Sequence, residues 1–168
     1  MGLALRLAAN SRVVVEWNRL HNPPANNDRE TAMPASVRRH NPPAVHTPLG
    51  RYHHATVHPL GNGLKRLVMA GQVGIKPDGK LAGDLGAQIE QAYDNLLAVL
   101  ASEGMSANDL VKITYFTTDK SPEALKLSRD IRVRKLGDAN PSSTYLVIAG
   151  LAGPDLKVEI EGEAVAKE

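Results

Sequence analysis

The reading of the fold turns on residues 110–150, LVKITYFTTDKSPEALKLSRDIRVRKLGDANPSSTYLVIAG. Its first part sets Val111, Ile113 and Tyr115 against Lys112, Thr114 and Phe116, a strand with both faces at least partly covered. Ser121 as cap, Pro122 at the first helical position and Glu123 in the first turn then open a helix, and Gly137 closes it. TYLVIAGLA, from Thr144, returns as an apolar strand, read as buried and entered through the hydroxyls of Ser142, Ser143 and Thr144. This is a strand–helix–strand unit.

The flanks extend it. ATVHPLGNGLKRLVMAGQVG, residues 55–74, reads as two strands around a Gly61-Asn62-Gly63 turn, because glycine and asparagine tolerate positive φ. KPDGK, residues 76–80, is a second turn. DLGAQIEQAYDNLLAVLASEGM, residues 84–105, places Ile89, Ala92, Tyr93, Leu96, Val99 and Leu100 at helical spacing, with Asp84 as cap and Gly104 as stop. LKVEIEGEAVA, residues 156–166, sets Val158, Ile160 and Ala164 on one face and Glu159, Glu161 and Glu163 on the other. The order strand, strand, helix, strand, helix, strand, strand predicts an α+β sandwich, a mixed β-sheet with two helices on one face. The other face then needs cover, and self-association is the simplest way to supply it.

A chain of 168 residues fits one domain plus an appendage. Residues 1–47 are read as the appendage, an N-terminal arm or leader, since the stretches HNPPANNDRE and HNPPAVHTP break both helix and ladder. Arg6 and Arg12 precede the first acid, Glu16, so a mitochondrial leader stays open beside a flexible arm or an early start codon. Residues 48–168 are the expected domain. With one Trp and one Phe, the core must be aliphatic and no stacking platform for single-stranded nucleic acid is available. A net charge of +2 with no basic run gives no reason to expect a nucleic-acid partner. No segment reaches the roughly 20 apolar residues of a membrane span. The absence of cysteine excludes disulfides, a thiol nucleophile and thiolate metal sites, and a cytoplasmic home is expected.

All six histidines lie between His21 and His58. His54 and His58 fall on one strand face but about 13 Å apart, too far to share a metal ion, so no metal is expected. GNG and AGQVG lack the Lys-Ser/Thr of a phosphate loop. Ser142, Ser143 and Thr144 form either an ST-turn leading into the strand or a row of hydroxyl donors lining a cleft.

From about Pro42 to Ala166 the sequence resembles the reactive intermediate deaminase family, also called Rid or YjgF. The resemblance rests on Tyr52 after Gly50, Gly71-Gln72, the helix carrying Gln88 and Asn95, the NPSST entry to a strand, and the terminal VEIEGEAVA. It implies a chorismate-mutase-like fold, a homotrimer around a central barrel, ligand clefts between subunits, and hydrolysis of enamines and imines to a keto acid and ammonia without a cofactor. It also implies a cleft tyrosine at Tyr52, a cleft glycine at Gly71 and a water-positioning glutamate at Glu159, so Glu159 and Tyr52 are the expected catalytic residues. The family serine falls on Ala70 and the arginine that clamps the substrate carboxylate falls on Ser143. A guanidinium offers a planar fork, a serine one neutral donor. With charged hydrogen bonds worth about 1.5–3 kcal/mol and neutral ones about 1, a carboxylate substrate loses roughly tenfold in affinity or more. The expectation is a small-metabolite protein other than a standard 2-imino-acid deaminase, or a trimer that binds a metabolite or a protein without turnover. The binding wall is expected to comprise Gly71, Ala70, Ser142, Ser143 and Thr144, with Phe116, and with His54 or His53 standing in for the missing cation.

Overall fold

The computed structural model describes residues 36–168. The strands are β1 (Arg38–His40), β2 (Ala55–Gly61), β3 (Leu64–Val73), β4 (Leu110–Thr117), β5 (Ser142–Val147) and β6 (Val158–Lys167). The helices are α1 (Leu85–Ala101) and α2 (Pro122–Leu136). The six strands form one sheet in the order β1-β2-β3-β6-β4-β5. Every pairing is antiparallel except β4 with β5. That parallel pair needs a crossover, which α2 supplies.

Local chemistry sets each element. Gly61, Asn62 and Gly63 all take positive φ (80°, 54° and 70°), which lets β2 reverse into β3. The Asp84 carboxylate accepts from the Ala87 N–H at 2.9 Å to start α1. The Ser121 hydroxyl accepts from the Ala124 N–H at 3.2 Å to start α2. The six apolar residues at helical spacing on α1 are all buried, against Leu67 and Met69 of β3 and Ile160 and Ala164 of β6. One aliphatic core thus fills the space between helices and sheet.

The folded domain begins earlier in the chain than residue 48, where the sequence reading placed its start. The reading of the first 35 residues as arm or leader lies outside the described residues, but Arg38–His40 pair with Val57 to Ala55 and Val45 and His46 are buried. The proline pair makes a turn here, with the Val45 N–H donating to Pro42 O at 3.1 Å, and so folds this segment onto the sheet edge. Two further expectations change. A register shift between Leu110 and Lys112 turns Val111 outward, 45% exposed, and breaks the alternation of β4. β5 is an exposed edge strand, with Leu146 and Val147 at 42% and 51%, because only β4 pairs with it; the hydroxyl residues stand inside the strand rather than before it. Among the described residues no helix is long and apolar enough to cross a membrane, and no cluster of metal-ligating side chains occurs.

Candidate active site

β3 loses register with β6 between Met69 and Gln72, so Ala70 and Gly71 stand outside the ladder beside Glu159. Main-chain groups fix this bulge. The Ala70 N–H donates to His54 O at 3.0 Å, and the Gln72 side-chain amide donates to Ala70 O at 2.8 Å. A Cβ added at Gly71 would overlap the Glu159 carboxyl group, so glycine is what allows the side chain to lie against the backbone.

A cavity of about 410 Å³ opens over this contact. Glu159, Gly71 and Ala70 form its floor, and Tyr52 with Leu49 forms one wall. Ala152 and Leu156, from the loop between β5 and β6, form the other, with Val73 beneath. The Tyr52 hydroxyl accepts from the Leu49 N–H at 3.2 Å, which ties together these two residues of the lining. Glu159 is half-buried, and its carboxyl group is held above the ordinary value, first by burial and then by the neighbouring charge of Glu161. No Lys, Arg or His lines the cavity.

Two buried polar residues of α1 brace the site from behind. The Asn95 amide donates to Val73 O and Ile75 O at 3.0 and 2.9 Å. The Gln88 amide donates to Asp155 O at 3.0 Å while its carbonyl accepts from the Lys157 N–H at 2.9 Å. One helix therefore holds both the end of β3 and the loop before β6.

The structure brings together Tyr52, Ala70, Gly71 and Glu159, and sets Phe116 opposite Glu159 on β4. It does not bring the others. His54 is fully buried behind Tyr52, with ring centroids 5.7 Å apart. Its Nε2–H donates to His46 O at 2.8 Å and its Nδ1 accepts from the Gln72 amide at 3.2 Å. Both nitrogens are engaged and burial pushes its pKa down, so His54 is a neutral brace rather than a cation facing the cavity. His53 is exposed and not part of the lining. Ser142, Ser143 and Thr144 lie on β5, beyond β4 from Glu159, and line no part of this cavity. Glu163 pairs with Arg66 at 2.6 Å on the open face of the sheet. Sequence reasoning missed Leu49, Val73, Ala152 and Leu156; only the last two carried a signal, the Gly- and Pro-containing stretch LAGPDL at residues 151–156.

These features define a class: an α+β domain whose last strand lays a half-buried carboxyl group across a glycine bulge. The family model described as Endoribonuclease L-PSP matches residues 44–166, and the chain belongs to this family, the Rid or YjgF family that its motifs resemble. The 2-iminobutanoate/2-iminopropanoate deaminase of Escherichia coli K12 is 29% identical over 110 residues, 64% of this chain and 83% of that protein. The RutC family protein YjgH of the same organism is 30% identical over 94 residues, 56% of this chain and 72% of that protein. The crystal structure of RidA from the Antarctic bacterium Psychrobacter sp. PAMC 21119 matches with a TM-score of 0.64 at 25% identity, covering 77% of this chain and 98% of that one.

Proposed function

We propose that the protein hydrolyses an enamine, imine or related small metabolite without a cofactor, in clefts of a homotrimer built around a central barrel. The observation that carries this reading is the Glu159 carboxyl group, half-buried against Gly71 in a cavity that Tyr52 also lines. A carboxyl group with a raised pKa suits proton shuttling near neutral pH. As water adds to the C=N carbon, the π electrons move to nitrogen, and Glu159 takes the water proton and returns it to that nitrogen. The carbinolamine then collapses to a carbonyl compound and ammonia. The Tyr52 hydroxyl and the main chain at Gly71 orient the water and the developing charge.

The cavity walls argue for an uncharged substrate. Its lining is largely apolar and carries no cation, and Ala70 stands where the family resemblance puts a serine. The trimer is supported by the exposed Leu146 on the open sheet face and by family membership, and sedimentation at three times the 18.0 kDa chain mass tests it. Nucleic acid is not an expected substrate at a net charge of +2.

The test is the rate of loss of freshly generated 2-imino acids and of uncharged imines, with wild type and with Glu159→Gln. The expected result is wild-type turnover of uncharged imines in preference to 2-imino acids, and its loss in the variant. Absence of turnover on every imine with wild type overturns the enzyme reading in favour of a trimer that binds a metabolite or a protein.

A further inference from the structure

The apolar surface around Glu159 continues past the loop that walls its cavity. A second cavity, of about 310 Å³, adjoins the first across Ala152 and Leu156, and these two residues with Leu49 line both. Val73 in the first cavity, Ile75 in the second and Leu156 in both pack as one buried apolar cluster, separate from the core under the helices. Leu81, joined to Ile75 by a short antiparallel bridge, lines the second cavity with Pro154. Leu49 and Leu81 are 59% and 37% exposed, so this surface meets water. The Gln88 side chain holds the shared wall to α1, through Asp155 O and the Lys157 N–H. Among the described residues no Lys, Arg or His lines either cavity, and the second carries one carboxyl group, that of the exposed Asp155.

A two- or three-carbon imine at Glu159 would leave the second cavity and its leucines wet, whereas a longer apolar substrate would cover them and gain the free energy of that burial. We propose, resting on the reading of Glu159 as the group that works on a C=N bond, that the substrate is a neutral imine or enamine with an extended apolar body. Its reacting end lies against Glu159 and Gly71, and its tail passes Ala152 onto Leu49, Ile75 and Leu81. The second cavity has the volume of about ten waters at roughly 30 Å³ each, room for a tail of about six carbons. An anionic tail would meet the Asp155 carboxyl group and find no cation. Ala152 sets the selectivity, because its single methyl group leaves open a passage that a leucine would fill. The tail takes no part in the bond changes: water adds to the C=N carbon, and the products are ammonia and a carbonyl compound that keeps the tail.

The test uses the full chain and has one arm that needs turnover and one that does not. Propan-1-imine and heptan-1-imine, generated from their amines by an amine oxidase, give kcat/KM; propanamide and heptanamide, unreactive and neutral, give affinity by calorimetry and amide chemical shifts. Each methylene removed from water is worth about two- to fourfold, so the seven-carbon compound should lead at least tenfold in both arms. Heptanamide should shift the amides of residues 75–82 and 151–156, and propanamide should leave those of 75–82 in place. Ala152→Leu and Leu81→Ser should each cut the long-chain lead about threefold or more. Leu60→Ala, at an exposed leucine of β2 that lines neither cavity, should keep it. Equal affinity for the two amides, or a lead that survives both Ala152→Leu and Leu81→Ser, overturns the extended groove. Propanimine turned over as well as heptanimine overturns the substrate class and leaves the hydrolytic reading standing. A long-chain lead in binding with no turnover of either imine overturns the hydrolytic reading, and with it the imine, and leaves a groove for an extended neutral ligand.

Discussion

Gly71→Ala separates the site from the scaffold. Gly71 does not take positive φ, so alanine adopts its backbone without strain, but the new Cβ would overlap the Glu159 carboxyl group. That group is the far end of a flexible side chain, so it yields by leaving its rotamer at a cost of about 0.5–1.5 kcal/mol. The smaller unfolded-state entropy of alanine returns about 0.4–1 kcal/mol. The net change is within about 1 kcal/mol, or roughly 4 °C in Tm for a domain of this size. Turnover should fall far more, about a hundredfold, because displacing a catalytic group by an ångström costs that much. Gly74→Ala is the counterpart: its Cβ would stand 2.6 Å from Gln88 Cα, which can move only with α1. Overpacking of that kind costs about 3 kcal/mol, roughly 10 °C. Circular-dichroism melting and the imine-loss rate, measured on both variants, read the two effects. A Gly71→Ala protein with wild-type turnover refutes the placement of Glu159 as the working group, and one that melts as low as Gly74→Ala refutes the claim that the carboxyl alone must yield.

Burial, aided by Glu161, holds the Glu159 carboxyl above its ordinary value of 4.5, so the folded state binds this proton more tightly than the unfolded state. Wild type therefore loses stability as pH rises from that ordinary value through the raised one, and Glu159→Gln should gain in Tm relative to it across that window; a difference independent of pH contradicts the burial argument. For Glu103 burial pushes up, but hydrogen bonds and charge from Arg38 and then Lys65 outweigh it and hold the group low. Its stability is present above the ordinary carboxylate value and lost as pH falls, and Glu103→Gln should cost about 1–2 kcal/mol at neutral pH, less than a fully buried pair because Arg38 is solvent-screened. Equal melting of the two proteins at neutral pH sinks that estimate. Asn95→Ala strips partners from the carbonyls of Val73 and Ile75, and should cost about 2–4 kcal/mol while also lowering imine turnover through the shifted end of β3; a stable variant with full activity shows that the brace is dispensable.

Where structure follows from neighbours in sequence, the chain was legible. Asp84 and Ser121 cap the helices they were expected to cap, the GNG turn closes its hairpin, and β6 buries Val158, Ile160 and Ala164 while turning out its glutamates. What depends on the order of strands was not legible. TYLV reads alike at the centre or the edge of a sheet, and only the pairing order leaves β5 exposed. Val111 follows the alternation until a bulge removes it. Of the residues that line the Glu159 cavity, Tyr52, Gly71 and Glu159 stood out in the sequence through their motif context, whereas Leu49, Val73 and Leu156 are ordinary apolar residues until the fold gathers them. His54 carried a functional look but spends both ring nitrogens on structure. Arg132 reaches Ser143 across 11 positions and an intervening loop, a contact that no spacing rule on either segment signals.

The last strand in the chain is the middle strand of the sheet. β6 lies between β3 and β4, so until Val158–Lys167 have been synthesised the β2–β3 hairpin and the β4–α2–β5 unit have no strand to join them. Folding on the ribosome must wait for these residues to clear the exit tunnel, and both halves meanwhile present open edges to other nascent chains. A nonsense codon ahead of Val158 therefore yields two unjoined fragments of sheet instead of a trimmed domain, and the same ten residues that close the sheet carry Glu159 into the cavity.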